Sequence, residues 1–237
     1  MITTSIYDSK KQELNFYISS LKKLDSLSNE QSELWTDLAK VLKQQPFKID
    51  SFMIILKSNS YMMMYNMIES TIRELISTIY DAINTSSLRY DEVLDKIQDL
   101  WEKHQFLGLD DSNDTKSDSY KKEAHRCISF ILKKQKIKFY TNNFKLSGNA
   151  DFDTILSVTQ NLGINFDTTT IGKYKNEIDT IKRNRNGLAH GSYSFIELGS
   201  DKTIDDLYQT SLHVETYLEQ LKKDVNNYIK NKDFKKN

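Results

Sequence analysis

The stretch IILKSNSYMMMYNMIESTIRELISTIYDAIN, residues 54 to 84, sets the class of the fold. Tyr61, Met64, Ile68, Ile72, Leu75, Ile79 and Ile83 recur every three or four residues, the spacing that lines one side of an α-helix. Asn66, Glu69 and Arg73 follow the same steps on the opposite side, where Glu69 and Arg73 are four apart and can form an ion pair. Met62, Met63, Met64 and Met67 read as adaptable packing rather than as a ligand surface.

Working outward, the same period recurs on both sides. Upstream, Leu14, Ile18, Leu21 and Leu24 predict one helix. After a break around Ser26 to Asn29, the run Leu34, Leu38, Val41 and Leu42 predicts a second, which Pro46 ends by forcing its neighbour out of the helical region. Downstream, a helix is expected from Tyr90 to Phe106 with Val93, Leu94, Ile97 and Trp101 as its face. The acidic, polar stretch from Gly108 to Ser119 reads as an exposed loop, and a helix from Ser119 to Gln135 follows.

The period is lost from Lys136 to Gly148, where KIKFY is a short strand or extended chain. Asp151 or Asp153 caps a helix running to Asn161, which Gly163 ends. Another helix is expected from Ile171 to Asn186, beyond the segment Asp167 to Thr170, with Gly187 and Gly191 loosening the backbone around His190. The last helix starts at Thr203, places Asp205 and Asp206 in its first turn, and continues through Leu207, Leu212, Val214, Leu218, Leu221, Val225 and Ile229 to a frayed Lys230–Asn237. One Pro and seven Gly in 237 residues leave little punctuation for a many-stranded sheet, so the chain reads as all-α.

Composition narrows the function. The longest apolar run, Phe52 to Leu56, is far short of the ~20 residues a membrane span needs. A single Cys excludes a disulfide framework and suits a reducing cytoplasm, and the N-terminus lacks the pattern of a secretory leader. Lys and Arg (33) balance Asp and Glu (33), which argues against a broad basic surface coating nucleic acid. Balance leaves room for a concentrated site. Only five cations are Arg, and two of them stand at Arg183 and Arg185.

Those two Arg fall in Ile181 to Tyr193, IKRNRNGLAHGSY, where two Arg, two Asn and one His lie within eight residues. An Arg fork grips phosphate through two parallel bonds, and histidine moves protons near neutrality. Phosphodiester cleavage needs both: a proton moved at a hydroxyl, and charge offset on the phosphorus oxygens. Residues seven apart nearly share a helix face, so Arg183 and His190 align on an unbroken helix. Arg185 and His190, five apart, are separated by roughly 140°. They converge only where the backbone departs from the helix, with Gly187 one place for it, or where two chains each contribute.

Arg185-Asn186-Gly187-Leu188-Ala189-His190 resembles the Arg, four-to-six residues, His signature of the HEPN superfamily, with a polar residue after the Arg. Leu146 to Asp151, Leu162-Gly163-Ile164, the helix with Tyr65-Asn66-Met67-Ile68-Glu69 and the closing helix after Thr203 are similar to the layout of the bacterial branch found in defence and toxin loci. On this resemblance the chain divides into an N-terminal helical extension packed on the core (1–50) and a HEPN-like helical domain (51–237). The resemblance implies an all-α bundle that forms a homodimer, bringing two copies of the motif into one cleft, and a metal-independent endoribonuclease without a cofactor.

Carried onto this chain, the resemblance makes His190 the acid/base, Arg185 the phosphate clamp and Asn186 the orienting residue. Arg183 becomes an RNA-backbone contact, and Glu69 and Asn66 occupy the polar position of the facing helix. It implies RNA as substrate and a cognate antitoxin or neighbouring defence protein as partner. Some HEPN toxins carry a Tyr two residues after the His that a partner enzyme modifies. Here Tyr193 lies three residues after His190, which departs from that pattern. A non-catalytic module that binds RNA, nucleotide or a protein partner is the alternative.

Elsewhere the residues read blandly. His125 and Cys127 lack further partners at metal-ligand spacing, and His104 and His213 sit in ordinary helical surroundings. Lys133, Lys134, Lys136 and Lys138, interleaved with Ile137, Phe139 and Tyr140, form either a solvated helix end or a track for an RNA strand.

Overall fold

A computed structural model describes residues 5–43, 48–107, 116–144, 146, 150–166 and 168–236. Pro46, the first part of the acidic stretch from Gly108, Ser147 to Asn149, and Asp167 lie outside the described residues. The described residues form α1 (Ser5–Asn29), α2 (Glu33–Val41), α3 (Ile49–Ser86), α4 (Asp95–Gln105), α5 (Lys116–Leu132), α6 (Phe152–Asn161), α7 (Thr168–Gly172), α8 (Lys175–Ala189), α9 (Phe195–Ser200) and α10 (Ile204–Asn231). Two isolated bridges, Arg89 with Lys136 and Val93 with Lys235, are the β pairing among them, so KIKFY is extended chain. The fold is all-α.

Helix α3 is the axis of the molecule, and α1, α8, α9 and α10 pack around it. Every residue of its expected apolar face is buried, and so are Tyr65, Met67, Ile76 and Tyr80 beyond that face. A helix that buries more than one side belongs at the centre of a bundle. Met64 and Met67 are fully enclosed, in line with their reading as packing. Along α1, Tyr7, Leu14, Ile18 and Leu21 are buried where α1 contacts α3 and α10. Lys11 adds ion pairs to Glu215 and Glu219 of α10.

Several expectations are corrected. Ser26 to Asn29 do not break α1; the turn comes at Gln31, whose φ is +49°, and Ser32 then caps α2 by accepting from Trp35 N–H at 3.2 Å. In α2, Leu34 and Val41 face solvent, and the side turned inward is Trp35, Leu38, Ala39 and Leu42. The expected helix from Tyr90 begins with a 3-10 turn, Tyr90–Glu92, opened by Arg89 N–H donating to Glu92 Oε2 at 2.8 Å; Val93 leaves it in extended conformation, and α4 starts at Asp95. The helix expected from Ile171 is split at Lys173 and Tyr174, a turn that buries both Ile171 and Tyr174.

The C-terminal segment is anchored rather than frayed through the described residues. Lys232 closes α10 in the left-handed region with φ +57°, and Phe234 turns back into the core, 1% exposed. Its carbonyl accepts from Leu94 N–H at 3.0 Å, and Lys236 N–H donates to Glu92 O at 2.9 Å. Asp151 caps α6 as expected, accepting from Thr154 N–H at 2.7 Å, and Gly163 ends that helix with φ +80°. Thr203 caps α10 through a reciprocal pair of bonds with Asp206. Among the described residues, no helix is long and apolar enough to cross a membrane.

Candidate functional site at the end of helix α8

Helix α8 runs unbroken through Gly187 to Ala189, so the departure from helical geometry lies at Gly191 and not at Gly187. His190 is the capping residue, its N–H donating to Asn186 O at 2.9 Å. Gly191 takes φ +73°, a conformation a side chain would strain. Ser192 N–H donates to Gly187 O at 2.8 Å and Gly191 N–H to Leu188 O at 3.4 Å, the paired bonds that close a helix with a left-handed glycine.

Gly187 has a different task. A Cβ there would lie 2.1 Å from Cδ2 of Tyr193, so the bare backbone is the seat for that ring. Ser194 then caps α9 through a reciprocal pair with Glu197. The helix α9 is itself pressed against α3: a Cβ on Gly199 would lie 2.2 Å from Ile54 O, and Ser58 Oγ donates to Phe195 O. The His190 turn is therefore held at both ends. Sequence reading missed α9, although Ser194 and Glu197 carry a capping-box signal.

Arg185 faces the core side of α8. Its guanidinium carbon lies 4.4 Å from the centre of the Tyr65 ring on α3, and Nη1 donates to Asn186 Oδ1 at 2.9 Å. Arg185 Nε is shut off from solvent and has no partner among the described residues. Tyr65 Oη accepts from Ala150 N–H at 3.2 Å. Burial pushes the Tyr65 phenol above its ordinary range; the Ala150 N–H and the Arg185 charge work against that rise, and Glu69 adds to it.

The N-terminus of α6 braces the same face. Lys182 Nζ donates to Asp151 Oδ2 at 3.0 Å, and Phe152 N–H donates to Asp179 Oδ1 at 3.1 Å. Burial works to raise the Asp151 carboxyl, but Thr154 and Lys182 together outweigh it and hold the group below the usual carboxylate range.

The remaining candidates divide. Glu69 pairs with Arg73, Oε1 to Nη2 at 2.7 Å, and meets Arg185 through Tyr65 rather than by an ion pair of its own. Asn66 is exposed, and among the described residues its side chain makes no bond to α8. Arg183 is exposed and reaches Thr180 Oγ1 at 3.2 Å. His190 is exposed, and Tyr193 is 41% exposed. One chain thus gathers Arg185, Asn186, Tyr65 and Glu69 on the core side and presents His190 to solvent.

Two residues passed over in the sequence complete the contact. Asn184 is buried and hydrogen-bonds Tyr61, easing the rise that burial imposes on that phenol. Tyr61 and Tyr65, one turn apart on α3, therefore receive Asn184 and Arg185 of α8. The four-residue tyrosine spacing was the available signal, and placing Tyr61 on an apolar face hid it. Among the described residues, no group of three His, Cys, Asp or Glu is placed to hold a metal ion.

The family comparison covers this whole architecture. Neither a curated protein nor a solved structure matches the chain. A family model described as MAE_28990-like HEPN matches residues 5–234, taking in α1, the α3–α8 contact and the His190 turn. The chain belongs to the HEPN superfamily, in its MAE_28990-like family.

Proposed function

We propose that this protein is a metal-independent endoribonuclease whose active cleft forms between two copies of the chain. The observation that carries the reading is the division of Arg185 from His190 at the end of α8: Arg185 is braced against Tyr65, and His190 projects into solvent five residues later. With the helix unbroken, the roughly 140° between them stands, and a second copy supplies the missing half of each site. In the reaction, the RNA 2′-oxygen bonds to phosphorus as its proton passes to an imidazole. The P–O5′ bond then breaks, a proton returns to the 5′-oxygen, and a 2′,3′-cyclic phosphate remains. Arg185 offsets charge on the phosphoryl oxygens, Asn186 orients it, and Arg183 grips the strand outside the reacting phosphate.

The setting that fits such an activity is the cytoplasm, as a toxin or an effector of a defence system, with an antitoxin or neighbouring defence protein as partner. Incubation with RNA in EDTA tests the chemistry. Wild type is expected to cut and leave cyclic phosphate ends, and His190→Ala or Arg185→Ala to lose cleavage by about a hundredfold or more. Equal cleavage by the variants ends the assignment. Mixing the two inactive variants tests the shared cleft, since a mixed dimer restores one complete site.

A second reading is favoured by the internal contacts of Arg185, whose bond to Asn186 and stacking on Tyr65 also suit a structural helix anchor. On that reading the protein is a binding module. RNA held without any cleavage product across varied substrates marks this outcome.

A further inference from the structure

The segment Lys136–Tyr140 carries a second patterned surface. It leaves α5 as extended chain, and successive side chains alternate: Ile137 and Phe139 are buried, at 1% and 3% exposure, while Lys136, Lys138 and Tyr140 point outward. The backbone is fixed by the amide of Asn84, which donates to Phe139 O at 2.9 Å and accepts from Phe139 N–H at 2.8 Å. Ile137 N–H donates to Leu88 O at 2.9 Å. The outward trio is thus presented by a pinned chain.

These three side chains line a cavity of about 250 Å³ together with Trp101 and Phe130, whose rings lie 5.0 Å apart. Arg126 stands at its edge already committed to Glu123 and to Gln105 Oε1 at 2.8 Å. Lys136 and Lys138 are in no ion pair among the described residues, and Tyr140 is 63% exposed. Two packed aromatic rings, an exposed third and two ammonium groups outside any ion pair match a flat ring carrying an anion. An acidic peptide would use the charge and leave the rings idle. The volume is near the ~300 Å³ at which small-molecule sites begin.

We propose that this pocket binds a single phosphorylated nucleoside unit, with its base against Phe130 and Tyr140 and its phosphate on Lys136 and Lys138. Asn84 and Tyr65 are nineteen residues apart on α3, which places the pocket roughly 28 Å along that helix from the Arg185 contact. The proposal does not depend on the chemistry at His190.

The test is a titration of the full chain carrying His190→Ala, so that no strand is cut, followed by tryptophan fluorescence. The probes are adenosine monophosphate, adenosine, inorganic phosphate, a short oligoadenylate and a short polyglutamate. The monophosphate is expected to saturate the signal, with adenosine and phosphate each at least about tenfold weaker. Lys136→Ala with Lys138→Ala, both exposed, lowers its affinity about tenfold or more without changing the melting temperature. Tyr140→Ala weakens the monophosphate but not phosphate. Equal affinity for monophosphate and oligoadenylate identifies a free nucleotide as the ligand; an oligoadenylate preference with the same sensitivity to the lysine variants identifies a strand. Phosphate or polyglutamate binding as tightly as the monophosphate, or no effect of the lysine pair, overturns the proposal. Failure of wild type to cleave RNA leaves it untouched.

Discussion

The guanidinium of Arg185 lies over the ring of Tyr65, 4.4 Å from its centre, and this contact joins α8 to the central helix. The ring does two things at once. Its face receives the cation, and its hydroxyl accepts the Ala150 N–H that leads into α6. Arg185 is thereby tied to the brace that Asp151 and Lys182 form on the same side of α8.

Substituting Tyr65 separates these tasks. Tyr65→Phe keeps the ring face and leaves the Ala150 N–H unsatisfied, at a cost of about 1–3 kcal/mol in stability. If the chain is the ribonuclease proposed above, its cleavage is expected to stay within a few-fold of wild type. Tyr65→Leu removes the ring as well, releases Arg185, and lowers cleavage about tenfold beyond any effect of Phe. Chemical denaturation and single-turnover cleavage measure the two effects. Equal cleavage by both variants would falsify the positioning role of the ring.

Gly187 and Tyr193 form a coupled pair. Alanine normally stabilises a helix interior by about 1 kcal/mol over glycine. In the wild-type chain, Gly187→Ala collides with the Tyr193 ring and is expected to destabilise instead. In a Tyr193→Ala background the obstruction is gone, and the same substitution is expected to stabilise by up to about 1 kcal/mol. Urea denaturation of the four proteins of this double-mutant cycle gives the coupling. Additive effects mean that the ring does not rest on the glycine.

The contrast between α10 and α8 shows what a sequence encodes locally. Thr203, Asp206 and the spacing from Leu207 to Val225 place α10 correctly, because caps and periodicity act within a few residues. The motif Arg185–His190 was equally visible, as residue types with a fixed separation. The Tyr65 contact was not, since it joins positions 120 residues apart and leaves no trace in either segment's own pattern. Gly187 misled for a related reason. Its role is set by Tyr193 folding back, and a glycine in sequence does not say whether it serves a turn or a neighbour's ring.

Asp151 gives the protein a dependence on acid. Its carboxyl is held below the ordinary aspartate range by Thr154 and Lys182 against the opposing effect of burial. A group depressed in the folded state stabilises the fold above its unfolded pKa, and that contribution drains away as pH falls through the folded value. The loss is therefore expected below about pH 4. Asp151→Asn retains a capping oxygen but no charge, so the variant is expected to lose stability at pH 7 and to show a flatter decline between pH 5 and pH 3. Urea midpoints at these three pH values measure the slope. An unchanged slope assigns the acid sensitivity to other carboxylates such as Glu219, which Lys11 also holds low.

Phe234 offers a test of the anchored C-terminus. Its ring is buried, meets Tyr228 at a centroid distance of 5.8 Å, and follows the left-handed cap at Lys232 that turns the chain inward. Replacing a buried Phe by Ala costs about 3–5 kcal/mol through lost burial and the cavity left behind. A frayed tail would cost nothing. Phe234→Ala is therefore expected to lower the urea midpoint by more than Lys235→Ala, which removes only an exposed side chain. Hydrogen exchange adds a local readout: the Leu94 amide, which donates to Phe234 O, is expected to lose protection in Phe234→Ala ahead of the amides at the centre of α3. An unfolding free energy within about 0.5 kcal/mol of wild type, with the Leu94 amide still protected, shows that the segment is not held by its ring.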